Sequence, residues 1–156
     1  MAKIVALVWD ESKAYFFRGS EYIRYDIAAD RADEGYPQSI SSGWAGVFVS
    51  DLDAAVVWPS GKAYFFKGDE YTRYDIAADQ ADEGYPQAIS SGWAGVFESD
   101  LDAAVVWPNG KAYFFKGDEY TRYDIAADRA DEGYPQAISA WGLPFDGSSD
   151  QAVSAE

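Results

Sequence analysis

The feature that most constrains the fold of this chain is an internal repeat with a period of 49 residues. Trp9, Trp58 and Trp107 mark one position in three successive copies. Residues 52–91 and 101–140 differ at only three positions, whereas the first copy is more divergent. A fixed period of this length indicates supersecondary units that stack on one another, because one unit alone cannot bury its hydrophobic surface.

Each copy has the pattern of short strands joined by tight turns. In the second copy, the turn residues 59–61 and 68–69 separate three segments rich in branched and aromatic side chains, residues 53–58, 62–67 and 70–75. Such segments favour β-strands, and the turns predict antiparallel hairpins. The consecutive aromatics Tyr64, Phe65 and Phe66 indicate that both faces of the sheet are covered. Residues 76–87 are expected to hold a loop and a short outer strand, and residues 89–97 a brief helical turn that carries Trp93.

These features predict an all-β fold of the β-propeller type. A four-stranded unit with both faces buried is what a propeller blade requires, since each blade packs between two others. Helical solenoids need long segments with a period of 3.6 residues, and this chain has none. The copies also lack the Gly-Gly pair of kelch blades, and Pro follows Trp58 and Trp107 where a WD40 blade would have Asp.

Composition excludes several classes of function. The sequence contains no Cys and no His, so disulfides, thiolate zinc sites and the usual general base are absent. With no catalytic motif either, we expect a protein that is not an enzyme. The net charge of −15 argues against binding to nucleic acid or to an anionic membrane. No signal peptide or transmembrane segment is evident, so we expect a cytoplasmic or recombinant protein.

The motifs of each copy resemble the hemopexin-like repeat. The third copy reads DAAVVWPNGKAYFFKGDEYTRYD over residues 102–124 and GYPQAIS over residues 133–139, and the first two copies add GWAGVF. The resemblance covers about residues 3–146. It implies a four-bladed β-propeller, with blades at residues 3–48, 52–97 and 101–145. Residues 146–156 are similar to the first strand of a fourth blade that then stops.

The resemblance also implies an ion in a central channel. In such proteins the Asp-Ala-Ala strands line the channel, and backbone carbonyls face a calcium or sodium ion on the axis. By position, these carbonyls belong to Ile4, Asp53, Asp102 and Asp150 in this sequence. No cofactor is otherwise required.

Three blades and a stub are one blade short of the four-bladed ring. An open chain would expose large aromatic faces, so we expect a homo-oligomer that completes its rings by sharing blades. Four chains carry blades for three four-bladed rings, and two chains could close one six-bladed ring. The near identity of the copies indicates either recent amplification or deliberate construction from one parent blade.

The repeated acidic loops allow two interpretations. One is a calcium site in each blade, since Ca²⁺ prefers several oxygen ligands. The other is a solvated loop whose carboxylates cap turns, with Arg24, Arg73 and Arg122 paired to an Asp within the blade. The candidate calcium ligands are Asp75, Asp79 and Asp82, and Asp124, Asp128 and Asp131.

The first hypothesis for function is a non-enzymatic, self-assembling propeller scaffold, natural or engineered. The alternative is a module that binds a small ligand, lectin-like or polyamine-binding, with one site per blade. A haem carrier is a further alternative, although the missing His removes the usual axial ligand. The sequence does not identify the small-molecule ligand.

Overall fold

A computed structural model describes residues 3–141, which form three antiparallel sheets, one for each copy of the repeat. Each sheet is a blade with three strands of four to six residues and two strands of two residues. The first blade contains β1 Val5–Val8, β2 Lys13–Arg18, β3 Glu21–Asp26, β4 Arg31–Ala32, β5 Gln38–Ser39 and helix α1 Ile40–Gly43.

The other two blades repeat this order. The second blade contains β6 Ala54–Val57, β7 Lys62–Lys67, β8 Glu70–Asp75, β9 Gln80–Ala81, β10 Gln87–Ala88 and helix α2 Ile89–Gly92. The third blade contains β11 Ala103–Val106, β12 Lys111–Lys116, β13 Glu119–Asp124, β14 Arg129–Ala130, β15 Gln136–Ala137 and a 3₁₀ helix Ile138–Trp141. No helix among residues 3–141 is long and apolar enough to cross a membrane.

The first three strands of each blade form a meander, as the turns of the sequence predict. In the second blade, Ala54 pairs with Phe66 and Val57 with Ala63, while Lys62 pairs with Asp75. The outer edge is made of two short strands, where the sequence predicted one. β9 pairs with the end of β8 and β10 with its beginning. Asp75 ends β8, Asp79 precedes β9 and Asp82 follows β9.

Adjacent residues of one strand belong to different hydrophobic cores. In the second blade, Ala55 and Phe65 pack against the first blade, while Ala54 and Phe66 pack against the third. Successive side chains of a strand point to opposite faces of the sheet, so each blade contributes to two cores. The prediction that both faces are covered is therefore confirmed for the second blade.

The tryptophans that follow α1 and α2 each lie between two blades. Trp44 is buried, with its ring centroid 5.4 Å from that of Phe65 and 5.2 Å from that of Tyr74, both in the second blade. Trp93 packs on Phe114 and Tyr123 of the third blade in the same way. The helical turn therefore places a tryptophan in the core between two blades, as predicted for Trp93.

A backbone hydrogen bond fixes the outer rim of each joint. The amide of Ala81 donates to the carbonyl of Ala45 at 2.9 Å. Gly46 follows with a φ of +87°, and a Cβ built on it would lie 2.7 Å from the Cβ of Ala81. Both the backbone conformation and the close approach therefore require glycine at this position.

Candidate functional site

The first blade presents an apolar face on which no blade among residues 3–141 packs. We call it the outer face, and it comprises Ala6, Val8, Phe16, Ile23, Tyr25, Ile27 and Ala32. The side chains point away from the core shared with the second blade, to which Val5, Leu7 and Phe17 belong. Val8 is 67% exposed and Ile27 is 41% exposed. A cluster of exposed apolar residues of this kind marks an interaction surface.

The equivalent residues of the other blades are buried or partly buried within the chain. Phe65 and Phe114 occupy the position of Phe16 and are fully buried. Each packs on aromatic rings of the preceding blade, with centroids 5.8 Å apart for Phe65 and Phe17. The outer face therefore has the same residue types that form the internal joints, without a preceding blade to cover them.

Position 23 makes the outer face more apolar than the internal ones. The second and third blades carry Thr72 and Thr121 at this position, both fully buried, and their hydroxyls have no hydrogen-bond partner among the described residues. The first blade carries Ile23 there, which is only half-buried. An isoleucine gains more from being covered than a threonine whose hydroxyl is left unsatisfied.

A second candidate site lies where the first strands of the three blades begin. A pocket of about 280 Å³ is lined there by carboxylate residues and by Lys3. The ammonium of Lys3 donates to the backbone carbonyls of Leu101 and Asp102, at 3.2 and 2.9 Å. Lys3 therefore reaches from the start of the first blade to the start of the third. The carboxylate residues of the pocket are Asp51, Asp53, Asp100 and Asp102.

The residues predicted to face an axial ion are distributed unevenly around this pocket. Asp53 and Asp102 line it, and their carboxylates accept hydrogen bonds from the amides of Gly68 and Gly117, both at 2.7 Å. Ile4 is 58% exposed and does not line the pocket. Asp150 lies outside the described residues. The axial ion itself stays a prediction.

Burial and charge act in opposite directions on the groups of this pocket. Burial lowers the pKa of Lys3, while the negative charges of Asp102 and Asp53 act to raise it. Burial raises the pKa of Asp53, and the amide of Gly68 opposes that shift. The pocket therefore concentrates negative charge around Lys3, which favours a positively charged group there.

The carboxylates of the acidic loops bind cationic side chains of their own blade. The ammonium of Lys62 lies 3.1 Å from the carboxylate of Asp75 and 2.9 Å from that of Asp82. Arg73 donates from Nε to the same Asp82 oxygen at 2.6 Å. These hydrogen bonds, first from Lys62 and then from Arg73, hold the pKa of Asp82 below its usual range. The predicted pairing of Arg73 with an Asp is confirmed.

The remaining loop carboxylate is held separately. The hydroxyl of Tyr74 donates to Asp79 at 2.6 Å. The third blade repeats the arrangement, with Lys111 and Arg122 on Asp131, Lys111 on Asp124, and Tyr123 on Asp128. Within residues 3–141, no group of three or more acidic residues is arranged to hold a metal ion. The six candidate calcium ligands thus contact lysine, arginine and tyrosine side chains.

A guanidinium also packs on a tyrosine ring in every blade. The Arg73 guanidinium carbon lies 5.1 Å from the ring centroid of Tyr85, at a distance typical of a cation–π contact. The equivalent pairs are Arg24 with Tyr36 and Arg122 with Tyr134. Because Tyr85 is only half-buried, each blade has a partly exposed aromatic ring beside a fixed positive charge.

Sequence reasoning missed two lysine positions that the structure makes important. Lys62 is one of a set that recurs at Lys13 and Lys111, and this repetition was a signal for a shared role. Lys3 carries a different signal, since the corresponding positions of the other copies are Leu52 and Leu101, both buried. A lysine that replaces a core leucine in one copy indicates a local environment that the other copies do not have.

Each of the three blades matches the model of one protein family. The Hemopexin family model matches residues 4–47, 52–96 and 101–144. The solved structure of LS24, a seed albumin from Lathyrus sativus, is 27% identical with a TM-score of 0.75, over 88% of this chain and 67% of that chain. A plant albumin from Cicer arietinum showing hemagglutination is 25% identical with a TM-score of 0.74, over 90% and 71%.

The hemopexin fold protein CP4 from cow pea is also similar. It is 25% identical with a TM-score of 0.73, over 87% of this chain and 68% of that chain. No curated protein matches the sequence. Three matches to one family model cover most of the chain, and each coincides with one of the three blades. The chain therefore belongs to the hemopexin family.

Proposed function

We propose that this chain is a non-enzymatic scaffold that assembles with further copies of itself through the outer face of its first blade. The observation that carries the proposal is the difference between equivalent residues. Phe65 and Phe114 are fully buried by a preceding blade, whereas Phe16 is half-buried and the neighbouring Val8 is 67% exposed. A second copy would supply the blade surface that the first blade lacks.

The chain itself provides the surface that fits the outer face. Within the chain, that face of a blade packs on strand residues and a helical isoleucine of the preceding blade, such as Val5, Leu7 and Ile40. The third blade carries apolar residues at the equivalent positions, with Ala103 and Val105 partly buried and Ile138 buried within the chain. A blade of one copy packing on the first blade of another would therefore repeat the internal joint.

Covering the outer face would contribute substantially to the free energy of association between two copies. Fully burying a valine or phenylalanine side chain stabilises by about 1.5–3 kcal/mol. Val8, Phe16 and Ile27 all have surface left to bury. The backbone amide of Ala32 would add a hydrogen bond, since the equivalent amides of Ala81 and Ala130 donate to the preceding blade at 2.9 and 2.8 Å.

A non-enzymatic role is supported by chemistry and by the relatives. The sequence has no His or Cys to act as base or nucleophile. The loop carboxylates Asp75 and Asp82 are bound by Lys62 and Arg73. The similar solved structures include seed and plant albumins.

The test is the mass in solution, measured by light scattering coupled to size-exclusion chromatography over a range of concentrations. We expect a discrete multiple of 17.2 kDa. Val8→Glu places a charge on the outer face and should shift the population to monomer. Val49→Glu is the matched control, because Val49 is also exposed but lies off this face, and the second copy has Glu98 at the equivalent position.

Two results would overturn the proposal. One is a wild-type protein that stays monomeric at every concentration. The other is an oligomer that Val8→Glu and Val49→Glu leave equally intact, which would place the interface elsewhere on the molecule.

A second candidate function is a lectin-like module. It is supported by the half-buried tyrosine beside a guanidinium that every blade repeats, since aromatic rings and fixed charges are suited to binding polar ligands with apolar faces. The hemagglutination named for the Cicer arietinum albumin points in the same direction. A glycan array tests this candidate: binding that Tyr85→Ala weakens would support it, and an array without signal would exclude it.

A further inference from the structure

The pocket at which the first strands of the blades begin contains a positively charged side chain of the protein itself. Of the eight residues that line it, Lys3 is the one with a positive charge, and four are aspartates. Its ammonium lies 2.9 Å from the carbonyl oxygen of Asp102 and 3.2 Å from that of Leu101. Both are backbone acceptors at the start of the third blade, which is not adjacent to the first blade along the chain.

These carbonyls are the kind of ligand that an axial metal ion would use. Ca²⁺ binds carbonyl and carboxylate oxygens at about 2.3–2.6 Å. A metal ion bound to the Asp102 carbonyl would therefore lie within a few ångströms of the Lys3 ammonium. Two like charges at such a distance repel each other, and both would compete for the same carbonyl oxygens. With Lys3 in this position, the residues present do not fit a metal ion.

We infer that the Lys3 ammonium is the resident cation of this pocket and excludes free metal ions from it. An ammonium has three N–H donors and no acceptor, so it can satisfy two carbonyls and still face the surrounding carboxylates. It also joins the first blade to the third, a link that the strand pairing does not provide.

The repeat explains why only the first copy places a lysine at this position. The equivalent positions carry Leu52 and Leu101, which are buried in the joints between neighbouring blades. No preceding blade covers the first blade among the described residues, so its residue at this position is not confined to an apolar joint. A lysine there costs no core packing, and its ammonium reaches the carbonyls at the start of the third blade.

The test is cation binding by variants that lack the ammonium. Isothermal titration with CaCl₂ and with NaCl should show only weak cation binding to the wild type. Lys3→Met removes the charge and keeps an unbranched side chain, and it should bind one cation per chain at least tenfold more tightly than the wild type does. Lys67→Met is the matched control, because it changes the net charge equally and does not line the pocket.

Lys3→Leu is a second variant that guards against misfolding, since the other two copies carry leucine at this position. It should gain the same cation binding, and its melting temperature should rise with CaCl₂ while that of Lys67→Met does not. Equal cation affinity in the wild type and both Lys3 variants would overturn the inference, as would variants that fold and bind no cation. The readout is independent of oligomeric mass, so its failure is distinguishable from failure of the assembly proposal.

Discussion

The equivalent phenylalanines of the first two blades provide a direct measure of what an inter-blade joint contributes. Phe65 is fully buried and packs on Phe17 and Trp44 of the first blade, with ring centroids at 5.8 and 5.4 Å. Truncating a buried phenylalanine to alanine costs about 3–5 kcal/mol. Phe16 is half-buried and contacts Tyr25 of its own sheet at 5.9 Å. Its truncation should cost about 1–2 kcal/mol in the isolated chain, because only part of its surface is removed from water.

Urea denaturation of Phe65→Ala and Phe16→Ala measures both costs, provided that the chain is dilute enough to be monomeric by light scattering. The two sites share local sequence and strand position, so the difference isolates the neighbouring blade. As concentration rises, the Phe16→Ala cost should increase if a second copy covers the outer face, since assembly stabilises the wild type by mass action. Equal costs for both variants in dilute solution would refute the reasoning, because Phe16 would then be as buried as Phe65.

Three further predictions concern the joints and the charges. Gly46→Ala should destabilise the fold by about 1–3 kcal/mol more than Gly35→Ala does. Both glycines have a positive φ, but only at Gly46 would a Cβ lie against Ala81. Thermal unfolding of the two variants measures the difference. Asp82→Asn should cost about 1 kcal/mol at pH 7. Since its cationic partners lower the pKa of Asp82, the wild type should lose this stability as the pH falls below about 4, and the variant should lose less. Burial raises the pKa of Tyr71 from 10.0 to about 12. The free energy of unfolding should therefore fall as the pH rises between these two values, because the unfolded chain ionises first. Tyrosinate absorbance during unfolding would report this ionisation.

The strands and their two-sided burial could be predicted because local signals agree in every copy. Residues 62–67 and 70–75 were assigned to strands, and the structure has β7 and β8 with the same bounds. The turn residues fix the hairpins, and consecutive aromatics require two covered faces. The strands of the outer edge were harder to predict, because β9 and β10 have two residues each and are held by pairing with β8 rather than by intrinsic strand propensity.

The charged contacts could be predicted only in part. The pairing of Arg73 with an aspartate was expected, but the identity of that aspartate depends on how the loop folds back over the sheet, nine residues further along the chain. The role of Lys3 depends on a distance across the molecule, to a carbonyl 99 residues away. No local pattern encodes such a distance, although the contrast with Leu52 and Leu101 identifies the position as unusual.

The alternation of adjacent residues between two cores has a consequence for how the gene can change. Phe65 and Phe66 belong to different joints, so inserting or deleting one residue in β7 would exchange them and disrupt two interfaces at once. Adding or removing a whole 49-residue unit leaves every joint with its partner residues. Recombination between copies can therefore change the number of blades without changing the residues that meet at a joint, whereas an in-frame insertion or deletion within a strand would disrupt two joints.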